Sequence, residues 1–264
     1  MNKYQYVCEN YKKPKPVLFN TEMVQAILED RKTQTRRPID IDISNNFDID
    51  TDGTIYGYQC PETGDIYDLS EMINHIAPYQ PGDILYVRET WAKLNDEGHI
   101  HYEYKADSGG PYPGEWPPEE AKGNPDAPKW KPSIHMPKEV SRIFLKVTDV
   151  RAERLQDITQ SSALAEGVEE TEIYNELLEK CSAIGAGTGH IPVQAFAELW
   201  DSIYAKPKPV IKDGGIDYYI SYPWEDITET REHKGKKWHI YGNHWVWIIE
   251  FRANYYLENL KMDI

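Results

Sequence analysis

Positive charge is in short supply in this chain: 29 Lys and Arg face 44 Asp and Glu, a formal net charge of -15. A surface of that average sign repels polyanions, which excludes a broad nucleic-acid-coating face and leaves room only for small, focused contacts. Cysteine is scarce too. Cys8, Cys60 and Cys181 are an odd number at spacings that fit neither a zinc site nor a disulfide framework, so ordinary thiols in a reducing compartment are expected. No apolar run approaches the roughly 18 residues of a membrane span, and the opening MNKYQYVCEN has no apolar core of the kind a secretion signal carries. A cytoplasmic protein that does not engage a membrane is expected. Motifs for phosphate, dinucleotide or serine-hydrolase chemistry are also missing, with no P-loop, G-x-G-x-x-G or G-x-S-x-G.

What is present suffices for a core. With 40% hydrophobic residues, a chain of 264 residues is read as one domain over 1–264. VLFN reads as a short strand and TEMVQAILED as a helix capped by Asn20 or Thr21, with Met23, Val24, Ile27 and Leu28 on one face. GDILYVRETW turns into a strand, with IHYEYKA as its expected hairpin partner. SRIFLKVTDVRAERL alternates as a long strand, and TQSSALAEGV predicts a helix capped by Thr159 and ended by Gly167. PVQAFAELWDSIY predicts a helix burying Phe196, Leu199, Trp200 and Ile203, and HWVWIIEFR a strand buried on both faces. The absence of regular βαβ alternation argues for an α+β domain around a small barrel or curled sheet. Three segments read as inserts: roughly 40–80 as added hairpins, 107–131 as a Pro/Gly-rich lid, and 205–240 as a segment rich in Lys, Tyr and turn residues.

Candidate metal sites fail on their ligands. Asp48, Asp50, Asp52 and Gly53 match the start of a calcium loop, but Gln59 stands where a bidentate Glu belongs. A hairpin turning at Asp52-Gly53 is the simpler reading, with weak cation binding at the three aspartates left open. His99 and His101 share a strand face without a third ligand, so no metal and no cofactor are expected. Against the acidic background, RKTQTRR at 31–37 concentrates four cations, Arg31, Lys32, Arg36 and Arg37, in seven positions. Either they pair with surface carboxylates or they serve a site, and charge alone leaves both open.

The ordered blocks ILEDRKTQTRR, GDILYVRETW, SIHMPKEVSRIFLKVTDVRAERLQDIT followed by ALAEGV, FAELWDSI and NHWVWIIEF resemble the ASCH domains of the PUA-like superfamily, in the long form often encoded by phages. Two positions depart from the family pattern: Asp30 replaces a small residue, and His244 stands where a Pro is common. The resemblance implies a β-pseudobarrel with flanking helices and long inserts. It also implies relatedness to small bacterial amidohydrolases that deacylate N4-acetylcytidine. Carried over residue by residue, Thr35 would be the nucleophile, Lys32 its base and Glu166 the carrier of a proton to the leaving amine. Arg36, Arg37, Arg88, Glu89 and Trp91 would line the substrate cleft. Positions 32 and 35 face opposite ways in a regular strand, so Lys32 is expected in the loop before the strand begins. The partner would be a modified nucleoside or nucleobase, in host cytoplasm for a phage-borne chain. Two other classes stand beside the hydrolase: a non-catalytic reader of RNA or single-stranded DNA bases, and a phage protein that binds a host protein through its acidic inserts.

Overall fold

The computed structural model describes residues 13–96, 99–107 and 129–253. In chain order the elements are β1 (Lys15–Leu18), α1 (Thr21–Leu28), β2 (Gln34–Pro38), α2 (Ile41–Ser44), β3 (Phe47–Ile49), β4 (Ile55–Gln59), β5 (Ile66–Asp68) and α3 (Leu69–Ile76). There follow β6 (Ile84–Arg88), β7 (Trp91–Asp96), β8 (His99–Tyr104), β9 (Phe144–Arg154), α4 (Gln160–Ala165), α5 (Glu172–Ile184) and α6 (Ile191–Tyr204). The last are β10 (Lys208–Lys212), β11 (Gly215–Ser221), β12 (Thr228–His233), β13 (Lys236–Tyr241) and β14 (Trp245–Ala253). This is a mixed α+β structure with its strands in open sheets. No helix among the described residues is long and apolar enough to cross a membrane.

The chain divides into two compact units. The first comprises Met1–Thr33, Pro81–Thr148 and Phe251–Ile264. In it the strands run in the order β1-β6-β9, with β1 parallel to β6 (Val17 opposite Val87) and β6 antiparallel to β9 (Leu85 opposite Leu145). Helix α1 starts where the Asn20 side chain accepts from the Met23 N–H, and it buries Met23, Val24, Ala26 and Ile27. The expected hairpin partner of β6 is corrected here. IHYEYKA becomes β8, which pairs with β7 (Trp91 opposite Tyr104), because both edges of β6 are already taken by β1 and β9. The lid expected at 107–131 lies, over 108–128, outside the described residues.

The second unit comprises Gln34–Gln80 and Asp149–Glu250. Its strands run β9-β14-β2, with β14 antiparallel to β2 so that Ile249 lies opposite Thr35 and Trp247 opposite Arg37. One face of this sheet is covered by α4, α5 and α6 through a cluster of Leu155, Val168, Ile191, Phe196, Trp200, Val246 and Ile248. Large apolar side chains of this kind contribute roughly 1.5–3 kcal/mol each when fully buried. Helix α6 begins at Ile191 with Pro192 in its first turn, and it buries Phe196 and Trp200 as expected. Ile203, expected on the buried face, is instead 45% exposed; Ile191 and Ala195 take the inward positions. Helix α5, capped by Thr171 and closed by left-handed Gly185, has no counterpart in the sequence reading. Between β2 and β6 the chain forms the antiparallel sheet β3-β4-β5 with α2 and α3, and Gly53 (φ 87°) makes the β3–β4 turn. Residues 208–241 form a four-stranded sheet in the order β10-β11-β13-β12.

Candidate functional site

The basic stretch begins as α1 ends. Arg31 and Lys32 both donate their backbone N–H to the Ala26 carbonyl (2.8 and 2.9 Å). The chain turns through Asp30 at φ 57°, a left-handed conformation that Asp tolerates better than most side chains. Lys32 therefore lies before β2, as strand geometry demanded. It is 4% exposed, with its Nζ 5.3 Å from the centroid of the Phe19 ring.

From Gln34 the side chains of β2 alternate, and the alternation sorts the candidates. Gln34 and Arg36 face α4. Gln34 Nε2 donates to the Ser162 carbonyl (2.8 Å) and hydroxyl (2.6 Å). Arg36 donates to Glu166 Oε1 (2.9 Å) and Ser162 Oγ (2.9 Å), lies 3.6 Å from Glu153, and sits over the Phe196 ring at 5.6 Å. Arg36 and Glu166 are both sealed from solvent, at 2% and 3% exposure. The Glu166 carboxylate is thus tied up in a buried ion pair with a guanidinium. On this side a cleft of about 550 Å³ is lined by Gln34, Arg151, Glu153, Ser161, Ser162 and Glu250.

Thr35 and Arg37 occupy the other face. Thr35 is 1% exposed, and its Oγ1 accepts from Arg37 Nη1 at 2.8 Å, while Arg37 also reaches the Arg36 carbonyl at 3.0 Å. A cation donating to a hydroxyl oxygen stabilises negative charge developing there. Within this unit, the Thr35 hydroxyl bonds Arg37 and the Glu166 carboxylate bonds Arg36, from neighbouring positions of β2. Two residues that the sequence did not single out lie within electrostatic reach of Arg37: Tyr79 and Lys208. The Lys208 ammonium rests 4.2 Å from the Tyr204 ring; burial, and then the Arg37 charge, hold its pKa below the ordinary lysine value. Lys208 is 171 positions from Arg37, so no local pattern could have paired them.

In the first unit, Arg88, Glu89 and Trp91 follow one another but serve different contacts. Arg88 is half-buried and donates to the Ile134 carbonyl. Glu89 is 1% exposed and takes a two-pronged contact from Arg142 (2.9 and 3.1 Å), which also holds Asp107 (2.7 and 2.9 Å) and lies 4.1 Å over the Tyr104 ring. Burial pushes the Glu89 carboxyl above its usual range, against the pull of Arg142. Trp91 packs on Met136 and Val140, with Tyr104 alongside and the Lys131 ammonium 4.8 Å from its ring. Tyr104 thus lies beside both Trp91 and the Arg142 that holds Glu89. The partners Arg142 and Asp107 were invisible in the sequence, because each is one charge among many.

The histidines of β8 are exposed, and among the described residues no three His, Cys, Asp or Glu side chains group as metal ligands. Comparison with protein-family models, with curated proteins and with solved structures found no match.

Proposed function

We propose that this protein acts on a modified nucleoside or nucleobase, with hydrolysis of an N4-acylated cytidine as the reaction and Thr35 as the nucleophile. One observation carries the reading: an enclosed hydroxyl whose oxygen already accepts from a guanidinium. In this mechanism the Thr35 Oγ–H proton passes to a lysine as Oγ bonds to the acyl carbon. The C–N bond to the base then breaks, the amine leaves with a proton, and water hydrolyses the resulting ester. The ASCH resemblance assigns the base to Lys32; the depressed pKa of Lys208 makes it the competing base. Glu166, engaged by Arg36, is better suited to fixing that guanidinium than to carrying a proton. The fold that accompanies this reading is a PUA-like pseudobarrel, and the setting is cytoplasm.

The engagement of Glu166 favours a second reading, a reader that holds a base beside Thr35 and Arg37 without turning it over. Mass spectrometry of N4-acetylcytidine after incubation separates the two. The hydrolase reading expects cytidine and acetate from the wild type, and loss of turnover with retained binding in Thr35→Val. Lys32→Arg and Lys208→Arg identify the base, since a guanidinium keeps the charge but cannot accept the proton. Binding without product in the wild type would establish the reader, and full turnover in Thr35→Val would remove the nucleophile.

A further inference from the structure

We infer that one face of the β10-β11-β13-β12 sheet is a docking surface for a basic peptide segment of a protein partner. This does not depend on the nucleoside reading. Strands β11 and β13 run parallel with Ile220 opposite His239, so Tyr218, His239 and Tyr241 point the same way, and Tyr222 continues that line past the end of β11. The rings form a continuous series. His244 stacks on Tyr222 at 4.5 Å, Tyr222 on Tyr241 at 6.4 Å, Tyr241 on His239 at 6.3 Å, and His239 meets Tyr218 edge-on at 5.3 Å. The inner end, His244, is buried, while the other four rings are half-exposed. The opposite face of the sheet is occupied by its own packing, with Tyr219 and Ile240 buried and Trp238 Nε1 bonded to Ser221 Oγ at 2.9 Å.

Charge selects the guest. His244 Nε2 donates to the Ile39 carbonyl at 2.6 Å, which brings the next residue, Asp40, to the end of the ring series. Asp40 and Asp42 are exposed. Burial, and then the charges of these two carboxylates among others, hold the Tyr218 and Tyr222 phenols above the usual tyrosine range. Cations on the same face have neighbours of their own: Lys237 stands opposite Glu232 in the β12–β13 register, and the Lys208 ammonium rests on Tyr204. Ring faces beside exposed carboxylates favour a guanidinium or ammonium. A phosphate backbone would meet Asp40 and Asp42 directly, which disfavours a nucleic acid here.

The test is fluorescence anisotropy with a labelled Arg/Ser decapeptide, and a labelled single-stranded RNA of equal length as the competing probe. The wild type should bind the peptide. Tyr218→Leu/Tyr241→Leu and Asp40→Asn/Asp42→Asn should each weaken binding about tenfold or more. Glu176→Gln/Glu179→Gln, which removes two charges from exposed positions of α5, should leave binding within about twofold. Asn preserves the cap acceptor at position 40, so the aspartate pair keeps the test valid if the tyrosine variant fails to fold. The inference is overturned if the peptide does not bind, if the α5 pair weakens it as much as the Asp40/Asp42 pair, or if the RNA binds this face in preference.

Discussion

Acidification from about pH 7.5 to about 5 should destabilise the wild type by about 2 kcal/mol more than it destabilises a His244→Gln variant. The imidazole is 4% exposed, stacked on Tyr222 and bonded to the Ile39 carbonyl. Burial is the main reason its pKa falls from 6.5 to about 4; the Ile39 carbonyl opposes the fall, Arg154 adds to it and Asp40 opposes it. The sign follows from which state binds the proton. Between the two values the unfolded chain takes up a proton that the folded chain refuses, so stability is full above about 6.5 and declines towards about 4. At about 1.4 kcal/mol per pH unit, the loss is about 2 kcal/mol at pH 5 and about 3 kcal/mol once both states are protonated. Urea unfolding of both chains at the two pH values gives the difference directly, because acid effects from the other groups cancel to first order. Gln keeps an N–H for the Ile39 carbonyl but does not titrate. Equal pH dependence in the two chains would refute the argument, as would a steeper dependence in the variant.

Two further predictions concern the same unit. Arg36→Met removes the guanidinium that pairs with buried Glu166, so chemical denaturation should show a loss of roughly 3–5 kcal/mol, much of it recovered when Glu166→Gln is added. A double variant no more stable than Arg36→Met alone would mean the two groups are not coupled. Gly242→Ala should cost about 3 kcal/mol or more, since its Cβ would stand 1.8 Å from the Glu225 carbonyl oxygen and 2.6 Å from the Ile227 nitrogen; an unchanged melting temperature would contradict the close approach.

Elements with strong periodicity or clear caps were legible in the sequence. Helix α1 begins at the Asn20 cap, α4 at Thr159, β9 carries the apolar alternation of a half-buried strand, and β14 the apolar run that packing on both sides requires. The four-stranded sheet was not legible as strands, because β12 (TETREH) is exposed along nearly its whole length and shows no apolar alternation. Helix α5 buries only Leu177 and Cys181, too narrow a stripe to stand out. At the candidate site, the concentration of charge at 31–37 was visible and its division was not. Which cation meets Glu166 and which meets Thr35 depends on where β2 begins, and a shift of one residue would exchange their faces. Lys208 and Arg142 became candidates only through long-range contacts that a single sequence does not encode locally.

The order β10-β11-β13-β12 has a consequence for how this sheet assembles. Each outer pair is a hairpin closed by two residues of positive φ, Asp213-Gly214 (51° and 78°) and Lys234-Gly235 (50° and 72°), the turn geometry that matches strand twist. Such hairpins zip locally, on the order of microseconds. The parallel seam joining β11 to β13 has no such turn and requires the intervening chain to close first. The sheet should therefore form as two preassembled halves meeting along one late seam, and during synthesis the β10-β11 half would wait, with one edge open, for the other to emerge.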